Sequence, residues 1–143
     1  ASGAPTCSHD MDLFDLETAI VARLAALPEA RHVPVLTTGE IVDFTAGVDN
    51  ALAVKVAIGS LSVGGQVQTQ ARQYAEFSVT VYRRLAAGRR QSQQALFSAA
   101  VSALVGWQPV PGRECRLADG PPPHDEDGVA GVSFAVAIPV FYS

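Results

Sequence analysis

Three histidines, two cysteines and fourteen carboxylates are the side chains of this 143-residue chain with the chemistry to cut, join or coordinate. The histidines are His9, His32 and His124, and none stands in a nucleophile or zinc-protease context: GxSxG, HExxH and a cysteine-containing triad signature are all missing. Cys7 and Cys115 share no CxxC or Cys/His spacing and read as reduced, incidental thiols. The sharpest cluster is His124-Asp125-Glu126-Asp127, after three prolines. Its carboxylate oxygens suit Ca²⁺ or Mg²⁺, but the spacing is not that of a calcium loop. Consecutive residues of an extended loop cannot all face one ion, so a solvated acidic loop is expected there. The run from Gly59 through Gly64 and Gly65 places Gln66 where a phosphate-binding loop needs Lys. No catalytic, cofactor-binding or metal-ligating residue is expected, and the chain reads as a structural protein and not an enzyme.

Charge is more suggestive. Arg83, Arg84, Arg89 and Arg90 bracket a turn at residues 86–88, suited either to phosphates or to an acidic protein face. The alternative is a solvated turn leading into a helix. An arginine pair at a helix N-terminus opposes the helix dipole, which favours a partner role. The formal charge of -4 provides no broad cationic field for gripping nucleic acid. Trp107, after Gly106, is either an interface anchor or a cover for the open end of the core. Nine of the ten basic residues are Arg, which with abundant Ala, Val and Gly points to a GC-rich coding sequence.

The elements that position these residues follow from hydrophobic spacing. With 48% hydrophobic and 17% charged residues the composition is globular, and a domain of this size buries roughly 70% of its unfolded surface. Residues 1–10 are set aside as a leader or vector-derived segment, and residues 11–143 are expected to form one domain. No signal peptide and no apolar run long enough to span a membrane is read. Leu13, Leu16, Ile20, Leu24 and Leu27 predict a helix over residues 12–27, with Asp12 as N-cap, Asp15, Glu17 and Arg23 off its apolar face, and Pro28 as its stop. Residues 33–37 read as an edge strand and 40–50 as a loop. Leu52, Val54, Val56 and Ile58 alternate as a strand that Gly59, Gly64 and Gly65 bring to an end.

A second strand around Phe77, Val79 and Val81 pairs with the first as an extended hairpin. Between them residues 66–73 form a polar, strand-like arm with too few apolar side chains for a core, and Gln66, Gln68, Gln70 and Arg72 on it are candidate assembly contacts. A helix follows over residues 89–107 with Gly106 as cap, then a short strand over 114–117, a Pro/Asp loop over 119–128, and a last strand from Val132 to Val140. The order α-β-β-β-α-β-β predicts an α+β fold: a mixed or antiparallel sheet of four to five strands with both helices on one face.

Several stretches, taken in order, resemble the tail terminator proteins of Mu-like bacteriophages and prophages. They are Glu17-Thr18-Ala19-Ile20-Val21-Ala22-Arg23-Leu24, then Phe77-Ser78-Val79-Thr80-Val81-Tyr82 before an Arg-rich turn, then Ala103-Leu104-Val105-Gly106-Trp107-Gln108-Pro109, and a final strand reaching Phe141-Tyr142. At the level of element order the phage lambda terminator is similar too. The resemblance implies a virion tail protein assembled in the host bacterial cytoplasm, without cofactor. Its partners would be copies of itself in a ring, typically a hexamer, the tail tube protein and the head–tail connector. DNA would only pass through the lumen non-specifically, with no membrane involved. The ring would cap the head-proximal end of the tube, stop its polymerisation and offer a head-joining surface. The polar arm, the arginine turn, the loop over residues 119–127 and Trp107 are the expected contacts. The rival readings are a neck or tail-completion component that forms no ring by itself, and a small-ligand-binding α+β domain.

Overall fold

The structure is a computed structural model, and it describes residues 13–31, 33–38, 52–64, 72–85, 88–118, 120, 122–126 and 128–140. The apolar stripe of the first segment becomes α1 (Leu13–Ala25), which buries Leu16, Ile20 and Leu24. It ends three residues before Pro28, and Pro28–Ala30 forms a single 3-10 turn that buries Ala30. Asp12, the expected N-cap, lies outside the described residues. The second helix, α2 (Arg90–Leu104), buries Leu96, Ala100 and Leu104. Gly106 follows it with a φ of 89°, a left-handed conformation that suits glycine, and donates its amide to the Cys115 carbonyl.

Among the described residues six strands make one mixed sheet in the order β1-β2-β3-β6-β4, with β5 also paired to β6. They are β1 (Val35–Leu36), β2 (Leu52–Gly64), β3 (Arg72–Arg84), β4 (Arg116–Ala118), β5 (His124–Glu126) and β6 (Val129–Val140). Only β1 runs parallel to its neighbour β2, and the other pairings are antiparallel. Register explains the core. Val54 stands opposite Val81 and Val81 opposite Val132, and Val56, Val79 and Phe134 form the next row, so side chains of one parity share one face. That face carries Val54, Val56, Phe77, Val79, Val81, Phe134, Val136 and Ile138 into the same cluster as the buried sides of both helices. Phe97 of α2 meets Phe134 edge-on, ring centroids 5.4 Å apart. The α+β architecture with two helices on one face is therefore as the periodicities predict.

Three local expectations need correction. β2 ends at Gly64 as expected, but Gly59, also expected at its end, lies inside it at a β-bulge: Ile58 faces Phe77, the next pair is Leu61 with Ala75, and Gly59 and Ser60 together oppose Glu76. Gly59 suits this place because a Cβ there would lie 3.1 Å from the Glu76 carbonyl oxygen. The expected Pro/Asp loop contains a sixth strand, β5, paired with Val129–Gly131 of β6, because a short polar segment at a sheet edge is held by backbone pairing and needs no apolar pattern. Glu17 is not off the buried face: it is 5% exposed. Position 17 lies four residues after Leu13, three before Ile20 and seven before Leu24, which is inside the stripe. The loop expected over residues 40–50 lies outside the described residues.

Candidate functional site

Among the described residues, the expected contacts on β3 fall at its two ends, Arg72 at one and Arg83 and Arg84 at the other. β3 ends at Arg84 and α2 begins at Arg90, so one end of the sheet holds the whole arginine turn. Its geometry is set from below by Gln93, which is buried on the first turn of α2. The Gln93 amide donates to the carbonyls of Val81, at 2.8 Å, and Ala130, at 3.0 Å. Its Oε1 accepts the Nε–H of Arg83 at 2.7 Å, and Arg83 Nη1 donates onward to the Gly88 carbonyl at 3.2 Å. Arg83 is thus a half-buried brace of the turn, while Arg84, Arg89 and Arg90 are exposed.

Arg89 itself adopts a left-handed φ of 60° as N-cap residue, with no side-chain capping hydrogen bond. Non-glycine residues adopt that conformation at a cost. The helix start is therefore unusual in both backbone and charge. The acidic stretch is close by: β5 pairs with the part of β6 that also pairs with Arg83 and Arg84, and Asp125 is exposed there. Basic and acidic candidates consequently share one end of the sheet instead of lying on opposite sides. Asp119 and Asp127 lie outside the described residues.

The other end is the hairpin. β2 and β3 stay paired out to Gly64 and Arg72, so Arg72 and Gln73 belong to the sheet and not to a separate arm. Gln73 also pairs with Val140 of β6. Gln66, Gln68 and Gln70 lie outside the described residues, as do Cys7, His9, His32 and the Phe141–Tyr142 end of the last strand.

Trp107 lies beyond the C-terminal end of α2, half-buried against the core. Its amide donates to the Leu104 carbonyl and its carbonyl accepts the Cys115 amide. The Arg23 guanidinium sits over the ring, 4.7 Å from its centroid, and Arg23 Nε–H donates to the Ala103 carbonyl at 2.6 Å. Together they help line an open groove of about 920 Å³ between the helices, whose other walls include Ala19 and Ala22 of α1 and Ala99 and Ala103 of α2. Trp107 therefore both covers the core and faces a surface depression. By its spacing alone Arg23 is only a residue off the apolar face of the first helix. The signal that it meets Trp107 is tertiary, since Arg23 is on α1 and Trp107 lies beyond the end of α2.

Cys115 is fully buried, and desolvation pushes its thiol up to about 11, against a smaller downward pull from Arg23. At neutral pH it is a protonated, apolar core group. Among the described residues no three His, Cys, Asp or Glu side chains converge on a common point, and no helix is long and apolar enough to cross a membrane.

Neither a protein-family model nor a curated protein matches the sequence. Solved structures do match the fold. A chain of the virion of a native gene transfer agent particle overlays with a TM-score of 0.61 and 17% identity, covering 89% of this chain and 95% of that one. This chain is similar to that virion protein along nearly its whole length. A second solved chain overlays with a TM-score of 0.55 and 16% identity, over 90% of this chain and 92% of its own. The anti-feeding prophage cap, an AFP tube terminating cap, gives a TM-score of 0.49 at 15% identity and is covered over 57% of its length. At these identities the likeness is one of fold.

Proposed function

We propose that this protein is a tail terminator: a ring of copies that caps the head-proximal end of a phage tail tube, stops its growth and presents the joining surface for the head connector. The observation that carries the reading is the coincidence of two independent likenesses. The order of short sequence elements resembles Mu-like terminators, and the same chain shares its fold over 89% of its length with a protein of a gene transfer agent virion. The ring contact is heterologous, joining the arginine end of one copy to the hairpin end of the next, because these are the two chemically distinct ends of one sheet. Polymerisation stops because the ring occupies the surface that a further tube subunit would use.

The test is native mass measurement and negative-stain imaging of the purified chain across a concentration series. A closed ring, about 89 kDa for six copies of 14.9 kDa, is expected at high concentration. Replacing residues 65–71 by a two-residue Asn-Gly turn should leave the monomer folded, since Gly64 and Arg72 already pair across the gap. That variant should fail to close rings. A monomer at every concentration, with and without tube protein, would refute the reading.

A further inference from the structure

β1 pairs with β2 at only two positions, Val35 with Val54 and Leu36 with Lys55. Where β2 enters its bulge, the Ile58 amide is met by the Thr38 hydroxyl, with N···Oγ1 at 2.7 Å. A side-chain oxygen there accepts the strand amide. The hydroxyl proton is left for Glu17, whose Oε2 accepts it and also accepts the Thr38 amide at 3.1 Å. The chain of contacts runs from a buried helix carboxylate, through one threonine, to the strand residue immediately before the ladder breaks. A bulge interrupts pairing and concentrates twist. Proteins open locally in roughly contiguous units, and an interrupted ladder is a place where such opening can begin. Hydrogen bonds to an ionised acceptor are stronger than neutral ones.

The geometry points to a latch: Glu17, acting through Thr38, closes the β2 bulge against α1, so that on the β2 side the hairpin part of the sheet is fastened to the helix-covered part here, beside the unbroken β3–β6 ladder. The hairpin side comprises residues 59–64 of β2, 72–76 of β3 and 137–140 of β6. Gly59 makes the close approach at the bulge feasible and Thr38 supplies the only described side-chain bond to the Ile58 amide. The latch does not depend on what the protein assembles with, and it stands or falls apart from the terminator reading.

Native-state hydrogen exchange on the full chain tests it, comparing the unaltered protein with Thr38→Val, Glu17→Ala and Glu17→Gln. Thr38→Val removes the hydroxyl while leaving α1 and its carboxylate in place, so it carries the test even if Glu17→Ala folds poorly. In Thr38→Val and Glu17→Ala the amides of Ile58 and of residues 61–63 and 73–75 should exchange roughly 10- to 100-fold faster, the loss expected for charge-assisted bonds. The amides of Val54, Val56, Val79 and Val81 should change less than about threefold, as befits a separate opening unit. Glu17→Gln, which keeps an acceptor oxygen, should lie between. Uniform acceleration across both groups, or an unchanged Ile58 amide, would overturn the latch.

Discussion

Gly120→Ala is a single-methyl change with a large expected consequence. Gly120 lies between β4 and β5, where the chain crosses the edge of β6. A Cβ at this position would stand 2.8 Å from the Cα of Phe134, 2.9 Å from its carbonyl carbon and 3.1 Å from the Ala135 nitrogen. The first contact is about 0.6 Å inside the 3.4 Å of ordinary van der Waals contact. The obstructing atoms are backbone and cannot rotate away. Phe134 is pinned on its other side by pairing with Val79 and by its edge-on contact with Phe97. The crossing must therefore lift off β6, at a cost of about 1–3 kcal/mol by the usual scale of overpacking. For a chain of this length that lowers the thermal midpoint by roughly 3–10 °C. Thermal and urea unfolding of Gly120→Ala measure it directly. Gly112→Ala is the control, because Gly112 has a φ of +82° but nothing within 4 Å of an added Cβ. It should lose only the local backbone strain, roughly 1 kcal/mol. A Gly120→Ala midpoint unchanged, or lowered no more than that of Gly112→Ala, would refute the close-crossing argument.

Gln93→Leu keeps the volume and removes the amide that satisfies the Val81 and Ala130 carbonyls and the Arg83 guanidinium, so urea unfolding should show a loss of about 2–3 kcal/mol with an unchanged slope. Cys115 should resist alkylating reagents at pH 8 in the native state and react only on unfolding. Its raised value means the unfolded chain releases the thiol proton first, so the thiol's contribution to stability is whole below the ordinary value of 9.0 and declines as pH climbs towards 11. The difference in stability between the unaltered chain and Cys115→Ala should therefore shrink over that window by up to about 3 kcal/mol, and a flat difference would count against a buried thiol.

Much of this architecture was legible because its helices and long strands bury strictly periodic apolar faces. Leu16, Ile20 and Leu24 announce one face, and Phe77, Val79 and Val81 another. What escaped was governed by polar contacts across the fold. Glu17 sits inside its helix's apolar stripe, yet nothing local says that Thr38, twenty-one residues on, will accept its company. Gln93 looks like any glutamine of a Gln-rich helix start until β3 and β6 bring two carbonyls to it. β5 has no apolar alternation at all, being held by backbone bonds to β6. The arginine cluster was visible as a charge run, but its division into a brace, Arg83, and three exposed members depends on which side of β3 faces α2.

That division makes the proposed ring testable in a way that distinguishes its symmetry. Charge reversal at the exposed Arg90 leaves the Arg83 brace in place and alters the basic end. Shortening residues 65–71 damages only the hairpin end. In a heterologous ring every copy uses both ends, so neither variant closes alone. Each, however, retains the surface that the other's intact end recognises. An equimolar mixture should therefore stop at a heterodimer of about 30 kDa, twice the 14.9 kDa chain, because its outer surfaces are the two damaged ones. If each end instead met its own copy across a two-fold axis, either variant alone would form homodimers through its undamaged end and mixing would add no species. Homodimers from the separate variants would thus exclude head-to-tail closure, even if the unaltered protein forms rings.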